Sequence, residues 1–292
     1  MGELFALTCA IIWACAVILL KCSGETVSPF ALNFDRVSVS STLLLATLLF
    51  MGEPLLRADV SMSDYLILIL SGIIAIGISD TLFHMSLNMV GAGISAIVDC
   101  LYSPFTVGLA WLLLDERLSA PQLVGMALVL SGMIAAAGHT PAPGASRRQI
   151  ILGVVWGVLA MFTLALGIVI AKPVLEHTPV IWATTVRQIG CLAALLPIAL
   201  VSPKRREHLA VIRPNRDWRF MLPGAILGSY LSLIFWIAGM KYVEVGVAAI
   251  LNQSSTIYVL ILAAMFLREP FTRRKAIASL VALTGILLVT VG

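Results

Sequence analysis

Runs of about 20 predominantly apolar residues recur from one end of this chain to the other, and no other feature narrows its possible folds so sharply. A helix of that length, rising about 1.5 Å per residue, crosses the roughly 30 Å hydrocarbon core of a bilayer with its backbone hydrogen bonds made internally. Such segments can be marked at 3–21, 29–50, 65–88, 92–114, 119–137, 150–171, 178–200, 218–240, 246–267 and 273–291. The expected fold class is therefore all-α and integral to the membrane, with ten transmembrane helices. A membrane barrel would need strands in which apolar and polar positions alternate, whereas Leu43 to Phe50 and Leu128 to Ala137 are unbroken apolar stretches. No stretch is left for a soluble domain, in keeping with 60% hydrophobic residues, 12% charged residues and a mean hydropathy of +1.03.

The formal charge of +4 does not call for an acidic polymer as partner, because the basic residues lie in short loops beside helix ends, where lipid head groups account for them. Membrane lipid is the expected neighbour and nucleic acid is not. The five cysteines, Cys9, Cys15, Cys22, Cys100 and Cys191, form no CxxC pair and read as small buried hydrophobes. The first apolar segment lacks both a basic leader and a small-residue cleavage pattern, so it is expected to be a spanning helix, not a cleaved signal.

Sliding the chain on itself by 151 residues brings Gly2 onto Gly153, Lys21 onto Lys172, Glu25 onto Glu176 and Arg36 onto Arg187. Past the two widest loops, 52–63 and 202–217, the offset becomes 153, and Asp64 falls on Asp217, Gly93 on Gly246, Glu116 on Glu269 and Gly132 on Gly285. Charged residues this sparse, landing in register, predict a duplication: a first five-helix repeat at 1–139, a linker at 140–149 and a second repeat at 150–292. Five is odd, so the second unit enters the membrane from the opposite side. The resulting inverted repeat is the usual architecture of secondary transporters, which hold their solute near the midplane between the halves. Lys and Arg number 13 in and beside the loops joining segments 1 to 2, 3 to 4, 5 to 6, 7 to 8 and 9 to 10, against four on the other face. The positive-inside rule then places both termini outside the cytoplasm.

Each half carries a Gly-x-x-Ala stretch at the entry to its fourth helix, Gly93-Ile94-Ser95-Ala96 and Gly246-Val247-Ala248-Ala249. Each of these helices ends in an acidic turn, Leu114-Asp115-Glu116-Arg117-Leu118 and Leu267-Arg268-Glu269-Pro270-Phe271. Together with the arginine in the second helix of each unit, the chain resembles the EamA-type transporters of the drug/metabolite transporter superfamily over nearly its whole length. The resemblance implies a prokaryotic inner-membrane, multi-pass protein with a central cavity lined mainly by helices 1 to 4 and 6 to 9, helices 5 and 10 lying at the periphery. It also implies export of amino acids or metabolites, or carriage of sugar derivatives, which fixes transport as the expected activity without fixing the cargo. Pro104 in helix 4 is matched by Ile257 in helix 9, so a kink of the family's kind is expected in one half only.

Charged residues inside a membrane are costly and need a reason. Asp80 and His84, four apart, share a face of helix 3, and Asp99 on helix 4 lies as far past the intervening turn near Val90 as Asp80 lies before it. Both aspartates sit about 14 Å deep, near the midplane. One reading has this trio line the cavity and bind a proton or the cationic part of a substrate; the plainer one makes it a hydrogen-bonded cluster joining two helices. A metal site is not expected, since Leu233, Ile237 and Asn252 take the three places in the other half.

The second unit offers a neutral polar run, Asn252, Gln253, Ser254, Ser255 and Thr256, suited to a zwitterionic or polyhydroxylated ligand or to packing between helices. Arg36 and Arg187 either hold an anionic group, gate the two mouths, or snorkel to head groups. Trp13, Tyr102, Tyr230, Trp236 and Tyr258 are candidate cavity walls. Glu116 and Glu269, in tight turns at helix ends, are expected to tie backbone amides or loop arginines beside the next helix start. Small residues on helices 5 and 10 (Ala127, Ser131 and Ala135; Ala278 and Ala282) suit close packing, to a neighbour or to the second subunit of a homodimer. The chain holds no Gly-x-x-x-x-Gly-Lys-Ser/Thr loop, and neither a cofactor nor enzymatic activity is expected. The expected function is secondary transport of a small metabolite or amino-acid-like solute by alternating access, outward from the cell. The alternatives are an intramembrane enzyme acting on a lipid-linked substrate and a lipid-carrier translocator.

Overall fold

The structure, a computed structural model, describes residues 1–22, 28–137, 146–210, 218–266 and 272–292. Glu25, Arg213, Arg216, Asp217, Arg268 and Glu269 lie outside these residues, as does most of the expected linker. All regular structure among the described residues is helical. The long elements are α1 (Gly2–Cys22), α2 (Pro29–Phe50), α3 (Met62–Gly91), α4 (Ile94–Leu114) and α5 (Ala120–Ala136), then α6 (Arg147–His177), α7 (Val180–Val201), α8 (Trp218–Tyr242), α9 (Val245–Phe266) and α10 (Arg273–Val291). Eight of them are long and apolar enough to cross a membrane. The chain is a multi-pass membrane protein. Of the other two, α5 is apolar but has 17 residues, about 26 Å of helix. The other, α2, has 22 residues, and its polar side chains Asn33, Asp35, Arg36, Ser40 and Ser41 are all buried, so its low hydropathy marks an inward face.

Helix starts follow from caps. The side chains of Ser61, Ser119, Ser146 and Thr272 each accept a hydrogen bond from the backbone N–H three residues on. At Ser119 and Ser146 a glutamine returns the bond, completing a capping box. This box starts α6 at Arg147, and the helix runs 31 residues to His177, well beyond the 150–171 expected from apolarity. The extension holds Lys172, which is 5% exposed and turns its ammonium inward onto the carbonyls of Met240 (2.8 Å) and Val243 (3.0 Å). Those carbonyls end α8. Two residues on, the Glu116 carboxylate accepts from the Val245 N–H at the start of α9, 2.8 Å away. Burial pushes the Glu116 carboxyl above its usual range, against the pull of Lys172 and the Val245 and Gly246 amides. The turn between α3 and α4 is made at Gly91, whose φ of 79° a side chain would strain.

Glycines also set the tightest helix contacts. A β-carbon on Gly132 would stand 2.6 Å from the Ala278 carbonyl, and one on Gly125 2.7 Å from that of Gly285, so α5 and α10 run antiparallel with their backbones touching. The contacts are reciprocal. Ala278 stands 153 residues after Gly125, and Gly285 the same distance after Gly132, so each residue touches the other's counterpart. The same exchange joins the ends of the halves: Gly2 packs on Tyr242 and Val243, and Gly153 on Met89 and Val90. Ala278 and Ala282 are thus used within the chain, while Ala127 and Ser131 are exposed on the outer side of α5.

Replacing Gly132 or Gly285 by leucine forces these backbones apart and is expected to destabilise the protein by at least about 1–3 kcal/mol. Ala127→Leu, on the exposed side, is expected to leave the unfolding temperature in detergent unchanged within about 0.5 kcal/mol. Thermal melts of the three variants check the assignment, and equal melting temperatures would refute it.

Candidate functional site

A central cavity of about 160 Å³ is enclosed by α1 to α4 and α6 to α9, with no contribution from α5 or α10. That volume suits a small solute; an apolar cavity of about 150 Å³ holds a benzene molecule. The lining is organised in pairs. Trp13 and Leu164, Val37 and Gln188, Ala75 and Gly228, Ile76 and Ser229, Asp80 and Leu233, Asp99 and Asn252, and Tyr102 and Ser255 are counterparts at offsets of 151 or 153, and all fourteen face the cavity. Cys9, Asn33, Arg36, Ser232, Trp236 and Gln253 complete the wall without a counterpart there.

Local backbone geometry shapes this wall. Both α3 and α8 widen into a π-helical turn, at Ile73–Ile78 and Ile226–Leu231, positions again 153 apart. A π turn weakens the regular hydrogen-bond ladder and is often found at functional sites. In α3 carbonyls of the π turn are used: the Asn33 amide donates to Ile76 O at 2.9 Å and Gly77 O at 3.3 Å, and also to the Thr81 hydroxyl at 3.2 Å. Helical order is interrupted in α4 at Cys100–Leu101 and in α9 at Gln253–Ser254. Pro104 explains the first break, because it has no N–H for the Cys100 carbonyl. The second break, where Ile257 stands, corrects the expectation of a kink in one half only. There the N–H groups of Ser254, Thr256 and Ile257 bond three residues back, a local tightening at the Ser254-Ser255 pair. The two breaks meet: the Gln253 amide donates to the Asp99 carbonyl at 3.0 Å.

The charged residues group differently from their sequence spacing. Arg36 holds Asp80 and His84 instead of standing apart from them. Its Nε donates to Ser229 Oγ at 2.9 Å, its Nη1 lies 3.3 Å from His84 Nε2 and 3.8 Å from Asp80 Oδ2, and the guanidinium sits 5.4 Å from the centre of the Trp13 ring. Arginine is always a donor, so the network assigns the His84 proton to Nδ1. Asp99 is separate from this cluster. No hydrogen bond or ion pair reaches its carboxylate among the described residues, and it faces the cavity. Arg187 is buried behind the wall, 5.7 Å from the centre of the Trp236 ring. The next residue, Gln188, bonds Ser40 Oγ across the α2–α7 contact. Of the sequence-derived candidates, Trp13, Arg36, Asp80, Asp99, Tyr102, Trp236, Asn252 and Gln253 line the cavity; His84 and Arg187 lie one side chain away, and Tyr258 is not part of it. Asn33, Gln188, Ser229 and Ser232 were missed. Asn33 and Gln188 had a signal, one helical turn before Arg36 and directly after Arg187; the two serines had only their repeat register.

Comparison with known proteins agrees with this architecture. A model of the EamA-like transporter family matches residues 1–137 and again 151–291. An uncharacterized transporter of Archaeoglobus fulgidus is 25% identical over 290 residues, covering 98% of this chain and 96% of its own. The uncharacterized transporter YetK of Bacillus subtilis is 24% identical over 170 residues, 58% of this chain and 51% of its own. A protein crystal structure superimposes with a TM-score of 0.79 at 18% identity, covering 99% of this chain and 96% of the other, a likeness of fold.

The partners predict a split between the two aspartates. Asp80→Ala removes a neighbour of the buried Arg36 guanidinium and is expected to cost about 1–3 kcal/mol of stability. Asp99→Asn breaks no contact and is expected to melt at or above the wild-type temperature. Melts in detergent decide, and the reverse order would refute the assignment.

Proposed function

The chain belongs to the EamA-like transporter family, and from that premise we propose that it is a secondary transporter moving a small metabolite or amino-acid-like solute outward across the cell membrane by alternating access. The observation that carries the reading is the paired cavity wall: a small site shared by matching positions of the two halves, as alternating access between them requires. We read α1 to α10 as ten spanning helices in two inverted five-helix units. The reciprocal glycine contacts and the separate family matches to 1–137 and 151–291 support that reading. Outward direction is carried over from the family resemblance.

Within the cavity, Asp99 is the group we assign to the proton or to the cationic part of the solute, since Asp80 and His84 are already engaged by Arg36. That engagement also weakens the acid–base enzyme alternative, which needed both groups free. Asn252 and Gln253 supply neutral hydrogen-bonding groups on the facing side.

Purified protein in liposomes, screened against amino acids, sugars and nucleosides with and without a proton gradient, is expected to give flux of an unmodified solute. Chemical change of the solute, or flux of none, would defeat the proposal. Asp99→Asn is expected to lower that flux by about tenfold or more while the protein stays folded. Tags at both termini are expected to be reachable from outside the cytoplasm; a cytoplasmic C-terminus would overturn the orientation.

A further inference from the structure

The two arginines that match in the repeat are not in matching surroundings. Arg36 has Ser229, His84 and Asp80 around its guanidinium, but the counterparts of those three residues, Ile76, Ile237 and Leu233, give Arg187 nothing to bond. Arg187 is 1% exposed, and its Nε, Nη1 and Nη2 all lack a hydrogen-bond partner among the described residues. At that burial its head cannot reach water or lipid head groups, and arginine does not shed its proton. A guanidinium in such a place is retained at a cost in stability unless something else neutralises it.

The groups beside it indicate what that is. Trp236 and Tyr102 are neighbours of Arg187, and both line the cavity. The Trp236 Nε1–H and the Tyr102 hydroxyl lie near each other without hydrogen-bonding geometry, and each is buried with no hydrogen-bond partner among the described residues. Two proton donors on the wall and a fixed cation buried beside them, all without a hydrogen-bond partner among the described residues, form the donor set of an oxyanion. We propose that Arg187, Tyr102 and Trp236 are the anion subsite of the cavity, which takes the carboxylate of the transported solute. The proposal rests on the transport reading for the identity of its ligand. Asp99, unpartnered on the same cavity, then requires the rest of the solute to be neutral or cationic.

The test uses the purified full chain in detergent, with thermal unfolding and tryptophan fluorescence as readouts. The probes are the standard amino acids. Leucine is run with 4-methylpentanoate, which lacks the ammonium, and 3-methylbutylamine, which lacks the carboxylate, and sodium phosphate serves as an inorganic anion. Carboxylate-bearing probes are expected to stabilise the protein and the amine is not. In Arg187→Gln that stabilisation is expected to weaken by about tenfold in apparent Kd or vanish, and Arg187→Lys is expected to fall between. Without ligand, Arg187→Gln is expected to melt no lower than wild type, because it removes a charge that has no partner; a clearly lower melt would make Arg187 a scaffold residue and end the proposal. It is also overturned if the amine stabilises equally, if Arg187→Gln leaves binding unchanged, if phosphate alone binds, or if no carboxylate binds. The transport reading is judged separately. Liposome flux of a solute without an anionic group would sink this subsite and spare the transporter, whereas Arg187-dependent binding with no flux would do the opposite.

Discussion

A polar group inside a bilayer has no water to turn to, so it must find a partner within the protein or face a cavity, and this constraint orders the whole molecule. Its effect is plainest in α2, where Asn33, Arg36, Ser40 and Ser41 are buried and joined to α3, α7 or α8. Low hydropathy there is a consequence of position. The outer faces of α5, α6 and α10, by contrast, expose Leu123, Ile151, Leu280 and Leu287. Polar groups gather around the cavity inside a core that is otherwise apolar, with Phe34, Leu44, Leu68, Ile168 and Leu251 fully buried.

Scaffold and chemistry obey different symmetries. Glycine contacts, π turns and helix breaks recur at offsets of 151 or 153, because each half must solve the same packing problem against the other. Side chains on the wall do not have to match. Asp80 corresponds to Leu233 and Asp99 to Asn252, so both carboxylates of the wall belong to the first half. The arginines express both rules at once: their helix positions correspond while their partners do not.

How much of this was legible in the sequence depends on which force set each feature. Helix positions were readable because twenty apolar residues have one use, and the main error, the length of α6, came from a cap at Ser146 and a buried Lys172 that apolarity does not register. The register between the halves rests in part on Lys172, Glu116 and the glycines, and each of these does a backbone task, ending a helix, starting one or letting two touch. The cavity was legible in part. Spacing along one helix placed Asp80 with His84, but it could not reveal that Arg36, on another helix, holds both. The break in α9 was invisible for a similar reason: proline announces its own kink, whereas two serines in a run of polar residues do not.

That invisible break has a consequence for the site. The carbonyl of Asp99, the last residue before the break in α4, accepts from the side-chain amide of Gln253 at the matching break in α9. The bond ties the two interrupted helices together at the point where their counterpart residues, Asp99 and Asn252, both reach the cavity. Carboxylate and amide are thus held on opposite halves by one backbone contact. A rearrangement that moves the halves relative to each other has to act on that contact, so the position of the Asp99 side chain and the relation between the halves are set together.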